Sequence, residues 1–165
     1  MNSLKRFCIV GAIVTIISGI ISHFVYGWSG NNFLVGLFFP VNESTWEHMK
    51  LIFFPMFVYA LAAGKKAEDR YPCVYNAMFI GTLVGLGVIP TLFYTYTGIL
   101  GFTVDWMNIA VYIISVLIAY YTVYKTGEKC AEKNSEILRC VMYVFLVAFM
   151  IFTVYPPRLG LFVSP

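Results

Sequence analysis

The stretch PVNESTWEHMKL, residues 40–51, gathers Glu43, Glu47, His48 and Lys50 in a chain that is only 12% charged. Carboxylates and an imidazole so close together are equipped for three kinds of chemistry: proton transfer, metal ligation, or recognition of a polar group. His23, the chain's only other histidine, lies 48 − 23 = 25 positions earlier. The stretch is either a functional site or simply the polar start of a helix.

Local chemistry accounts for part of it. Ser44-Thr45-Trp46-Glu47 fits the S-x-x-E capping box, in which both side chains satisfy backbone donors at a helix start. Asn42 offers a second cap, and Glu43 and Glu47 complement the positive end of the helix dipole. Glu47 and Lys50, three apart, can pair. Helical spacing predicts one stripe of Glu43, Glu47 and Lys50, and a neighbouring stripe of Ser44, His48, Ile52, Pro55 and Tyr59. Capping explains Ser44 and Glu47 but not His48. His23 and Tyr26 end the preceding apolar segment, and Asp105 and Arg158 map to the same side. The predicted polar pocket therefore comprises His23, Tyr26, Asn42, Glu43, Ser44, Trp46, Glu47, His48, Lys50 and Arg158, with Arg158 pairing to Glu43 or Glu47.

For a metal, His23, Glu47 and His48 are the chemically suitable ligands. Glu47 and His48 are adjacent, however, so a helix points them about 100° apart, and no H-E-x-x-H spacing is present. The expectation is no metal and no other cofactor. Serine hydrolysis has a weak case: Ser44 and His48 are four apart, but the serine serves as a cap and no nucleophile elbow surrounds it.

The elements that must position these residues are legible from composition. The chain has 165 residues and is 60% hydrophobic, and its charge content is about half the roughly 25% of soluble domains. Four segments approach or exceed the ~20 apolar residues that a membrane-crossing helix needs. The predicted fold is all-α: one polytopic membrane bundle over residues 1–165, with five transmembrane helices near 7–26, 46–63, 73–96, 106–124 and 137–155. The first span is longer than a signal-peptide core and no A-x-A site follows, so it is expected to remain uncleaved.

The second span is short of apolar length. Leu51 to Gly64 is 14 residues, or about 21 Å, against a hydrocarbon core of ~30 Å. A full crossing must include the turn that carries Glu47, His48 and Lys50, or the membrane must thin there. Phe33 to Phe39 is too short to cross and too apolar for an exposed loop. It is predicted to be a re-entrant or interfacial flap over the polar cluster, held by Pro40. The tail YPPRLGLFVSP has similar character and stops abruptly after Val163-Ser164-Pro165, which leaves room for a further segment.

An N-in/C-out orientation places Lys5, Arg6, Lys65, Lys66, Arg70, Lys125, Lys129, Lys133 and Arg139 on the cytoplasmic face. That is nine of the eleven basic residues, as the positive-inside rule requires. Trp28, Trp46 and Trp106 then fall at the outer ends, where indoles favour the interface. Cys8, Cys73, Cys130 and Cys140 fall toward the inside, where thiols stay reduced. Pro55 and Pro90 lie inside spans and free the carbonyls of Leu51 and Leu86. Gly81 and Gly85 have GxxxG spacing, which favours close helix packing inside the chain over a homo-oligomer.

The segment SHFVYGWSGNNFLVGLFFPVNESTWEHMKLIFFP resembles a family of small bacterial integral membrane proteins of unknown function. The shared pattern is a histidine-aromatic end to the first span followed by N-E-S-x-W-E-H-x-K, with PPRLGLF near the C-terminus. The motif positions here are His23, Tyr26, Asn42, Glu43, Ser44, Trp46, Glu47, His48 and Lys50. The resemblance implies a membrane location and no particular reaction.

Three functional classes follow. The leading expectation is a multi-pass plasma-membrane protein, with the lipid bilayer as its surroundings and a pocket near the outer leaflet for a lipid headgroup, a small ligand or a partner. The alternatives are an intramembrane enzyme, hydrolase-like and metal-assisted, using Glu47, His48 and His23, and a small transporter subunit. Spans three to five hold no charge beyond Arg139, which argues against an ion or proton relay. The net charge of +3 is too small to suggest nucleic acid.

Overall fold

Long runs of Ile, Val, Leu and Phe form helices here because a helix satisfies its backbone polar groups internally, which lipid cannot do for it. The computed structural model describes residues 3–129 and 135–164; Cys130 and Lys133 lie outside the described residues. In chain order the elements are α1 (Ser3–Trp28), α2 (Phe33–Gly36), α3 (Thr45–Glu68), α4 (Val74–Leu100), α5 (Asp105–Lys129), α6 (Glu136–Val154) and a 3-10 turn at Gly160–Phe162. No strand occurs among the described residues. Helices α1, α3, α4 and α5 pack on one another, and α6 and the 3-10 turn close over α3 and α4.

Four helices, α1, α4, α5 and α6, are long and apolar enough to cross a membrane. The fifth expected span, α3, is not among them by composition. At 24 residues it is long enough, about 36 Å, but it carries Glu47, His48, Lys50, Lys65, Lys66 and Glu68. What it lacks in hydropathy it gains in enclosure. Eleven of its residues are buried, against six of 26 in α1 and two of 19 in α6. Other helices of the chain surround the polar start of α3, so its charged groups find partners there.

Pro55 lies inside α3, and the freed Leu51 carbonyl is met by Tyr112 Oη at 3.2 Å. The same hydroxyl lies 2.7 Å from the Thr15 carbonyl, so Tyr112 of α5 ties α1 to α3. This close approach requires Gly19: a Cβ there would sit 1.9 Å from Tyr112 Oη and 2.8 Å from the Leu51 carbonyl oxygen. One turn closer to the start of α1, Thr15 Oγ1 and Tyr120 Oη are 3.0 Å apart. Gly81 and Gly85 are used within the chain. Their Cβ positions would meet the Ala119 carbonyl and Val123 of α5, and Ile52 of α3.

Two expectations need correction here. Trp28 and Trp106 are exposed, but Trp46 is 6% exposed. It packs among Phe149, Phe152 and Phe162 with ring centroids 4.6–5.5 Å apart, because α6 and the 3-10 turn fold back over the start of α3. It is a core residue, not an interface anchor. The thiols are also not all reduced: Cys8 and Cys140 are free, whereas Cys73 is disulfide-bonded. Cys73 is buried where α4 begins.

Candidate functional site

The helix start divides the charged stretch differently from a continuous helical stripe. Ser44 is the N-cap of α3, extended in backbone, and its hydroxyl accepts from the Glu47 amide at 3.4 Å. Only this half of the capping box forms. The Ser44 amide donates to Asn42 Oδ1 at 2.9 Å, which releases the Glu47 carboxylate for other work. Glu43 precedes the cap, so it leaves the helical path and cannot continue the stripe of Glu47 and Lys50. Two separate polar sites result.

The first is closed. Lys50 and Glu47 are 1% and 2% exposed. Lys50 Nζ donates to Glu47 Oε2 at 2.7 Å and to the Gly36 carbonyl at 2.9 Å. Glu47 also accepts from the Val41 amide at 3.0 Å and from Thr153 Oγ1 of α6 at 2.9 Å. The apolar segment between α1 and α3 therefore covers this pair, and not the histidines. Its four-residue helix α2 is capped by Asn32 and supplies a carbonyl to the lysine, while Phe33 and Leu34 face outward. Tyr26 packs against Gly36 beneath that segment.

The second site is open and contains both histidines. His23 Nε2 from the last turns of α1 and His48 Nε2 from the first turn of α3 lie 3.4 and 3.3 Å from the same oxygen, Glu43 Oε2. The two rings are 5.4 Å apart. One ligand atom from each of the three residues lies within 4.8 Å of the others. His48 Nδ1 is 3.0 Å from the Ser44 carbonyl, which can only accept, so this nitrogen carries a proton. Hydrogen bonding from His48, opposed by burial and helped by the charge of His48 and His23, holds the Glu43 carboxyl below its ordinary range.

Two cavities, of about 380 and 220 Å³, meet at this cluster and share Glu43, His48, Leu51, Asp105, Asn108 and Tyr112. The larger also touches His23 and is walled by Ile20 and Phe24 of α1 and Ile109 of α5. The smaller reaches Thr45, Phe93 and Thr103. Asn108 is held by a hydrogen bond from Tyr96 Oη of α4.

Of the residues expected in one pocket, His23, Glu43 and His48 come together. Ser44 and Asn42 shape the cap, Glu47 and Lys50 are sequestered with each other, and Trp46 and Tyr26 pack elsewhere. Arg158 is exposed and takes part in no ion pair among the described residues. The carboxylates expected to receive it face histidines and Lys50 instead. The carboxylate beside the histidines is Glu43 and not Glu47, because a residue ahead of the cap can turn toward His48 while its helical neighbour cannot. Asn108 and Tyr112 were not anticipated, although Asp105, Asn108 and Tyr112 form a three-and-four-spaced polar stripe that the sequence displays.

No curated protein and no solved structure matches the chain. A family model does match, described as a family of unknown function (DUF6512), and it spans residues 1–164. With that match covering nearly its whole length, the chain belongs to this family of unknown function, DUF6512.

Proposed function

We propose that this is a multi-pass membrane protein that binds a small amphiphile in the cleft between α1, α3 and α5. The observation that carries the reading is the cleft's two-sided lining. Its polar side presents Glu43, His48, Asp105, Asn108 and Tyr112, while Ile20, Phe24 and Ile109 wall the larger cavity and are themselves 44–55% exposed. An apolar wall continuous with an exposed apolar surface suits an alkyl chain entering from the bilayer, and the polar end suits its headgroup. No lysine or arginine lines either cavity, so the side chains alone favour a headgroup that donates hydrogen bonds or is cationic. Native mass spectrometry of protein released from lipid nanodiscs is expected to show a retained amphiphile. Ile109→Trp, which fills the cleft, should reduce retention at least ~10-fold, in keeping with loss of most of the apolar contact. Equal retention by the variant, or none by the wild type, would reject the reading.

We infer five crossings, with α3 as the protein-enclosed one, and the N-terminus in the cytoplasm. The cleft then lies near the outer leaflet. The Cys73 disulfide falls at the opposite, inner end, where disulfides are rare. The bias of nine basic residues acts directly on insertion and is given the greater weight. Alkaline phosphatase fused after Gly30 or Gly101 should be active, and fused after Arg70 or Lys129 silent. A reversed pattern overturns the orientation; equal activity at Gly30 and Arg70 removes the α3 crossing.

A further inference from the structure

We propose that His23, Glu43 and His48 form a mononuclear site for a divalent transition metal, with zinc the best match, whose fourth position opens into the cleft. This deepens the reading of the cleft above but depends only on three side chains and not on any amphiphile.

Three observations carry it. The first concerns protons. His48 Nδ1 donates to the Ser44 carbonyl at 3.0 Å, so once Nε2 gives up its proton for a metal, that nitrogen is the one free to ligate. His48 Nε2 faces Glu43 Oε2 at 3.3 Å, and His23 Nε2 faces the same oxygen at 3.4 Å. Protons bridge these atoms when no metal is present, and a divalent cation can take their place.

The second is distance. Charge-assisted N–H···O bonds run about 2.7–2.9 Å, shorter than either separation. An ion bound at ~2.0–2.1 Å in tetrahedral geometry holds neighbouring ligand atoms about 3.3–3.4 Å apart. Both nitrogen–oxygen edges equal the edge of such a tetrahedron and are long for a charge-assisted hydrogen bond. All three ligand atoms lie within 4.8 Å of one another, so side-chain rotations suffice to close the remaining edge.

The third is the support around the ligands. Metal-bound imidazoles characteristically donate their other nitrogen to a carbonyl or carboxylate, which fixes the tautomer and the ring. The cap carbonyl of Ser44 does this for His48. Two imidazoles and one carboxylate are a borderline donor set that suits zinc better than magnesium or calcium, which prefer oxygen alone. Three protein ligands leave a coordination position for water or a ligand oxygen, and here it faces the cavity that Asp105 and Asn108 also line. A metal there would also add a fixed positive charge to a cleft that no lysine or arginine lines, which would extend its range to amphiphiles with an anionic or carbonyl oxygen.

The test uses the full chain purified in detergent, stripped with chelator and back-titrated with zinc, with metal content read by mass spectrometry. One zinc per chain is expected, with a rise in thermal unfolding temperature. Cobalt in its place should give the visible absorption of a four- or five-coordinate ion. His23→Ala, His48→Ala and Glu43→Gln should each weaken zinc binding more than ~100-fold, since even supporting residues around a metal are worth 10–100-fold. Asp105→Asn should retain the zinc. Thermal unfolding of each chelated variant verifies that it is folded. No stoichiometric zinc in the wild type, or zinc that persists in the folded His23→Ala/His48→Ala double variant, overturns the site. Amphiphile retention by chelated protein is a separate readout, so failure of either proposal leaves the other to its own test.

Discussion

Replacing Lys50 with methionine is expected to cost the folded chain about 3–5 kcal/mol, the usual penalty for removing one partner of a buried ion pair. Lys50 is among the largest fully buried side chains, and its ammonium is 2.7 Å from Glu47. Without it, the Glu47 carboxylate keeps the Val41 amide and Thr153 hydroxyl but loses its only cationic partner among the described residues. The Gly36 carbonyl loses its donor as well. Glu47→Gln should destabilise less, because the amide oxygen still accepts from Val41 and the lysine keeps the Gly36 and Phe39 carbonyls at 2.9 and 3.5 Å. Combining Lys50→Met with Glu47→Leu should recover only part of the loss, since the Val41 amide and Gly36 carbonyl then stand unpaired. Thermal or denaturant unfolding in detergent measures all three. If Lys50→Met left the midpoint unchanged, the pair would not be holding the α2 segment to α3.

Gly19→Ala is expected to cost up to about 3 kcal/mol, at the high end for overpacking a well-filled core. The new methyl would lie 1.9 Å from Tyr112 Oη and 2.8 Å from the Leu51 carbonyl oxygen. Tyr112 can swing away, but the Leu51 oxygen belongs to backbone. The displaced hydroxyl would also abandon the Thr15 and Leu51 carbonyls, a further loss of ~1 kcal/mol. Tyr112→Phe should rescue Gly19→Ala in part by removing the nearest atom; the ring carbon at 2.6 Å remains. Gly98→Ala provides the control. Nothing lies within 4 Å of a Cβ there, so the change should be neutral or slightly stabilising through helix propensity. Equal behaviour of Gly19→Ala and Gly98→Ala would show that the α1–α5 approach is not tight at Gly19.

These two predictions rest on features that differ in how far the sequence discloses them. The Glu47–Lys50 spacing announces a pair, and the shortage of apolar length in α3 announces that something must shelter it. That the shelter comes from the Gly36 carbonyl, Thr153 and the aromatic wall of α6 depends on contacts between residues up to 106 apart in the chain. Gly19 carries no such announcement. It lies in an apolar helix with no sequence mark to separate it from Gly27, whose surroundings are open.

Sequence alone determined the helical class and that Ser44 starts a helix, because apolar runs and capping residues act over a few positions; the helices run up to five residues past the apolar runs that mark them. It also determined that His48 has no role in capping. Only the tertiary structure decided which carboxylate meets the histidines. Periodicity carries residues along a helix, but Ser44 ends the helical path, and the residue just outside it, Glu43, turns back toward His48 and across to His23. A local rule can say where a helix starts; where the chain goes before that point is set by the neighbours packed around it.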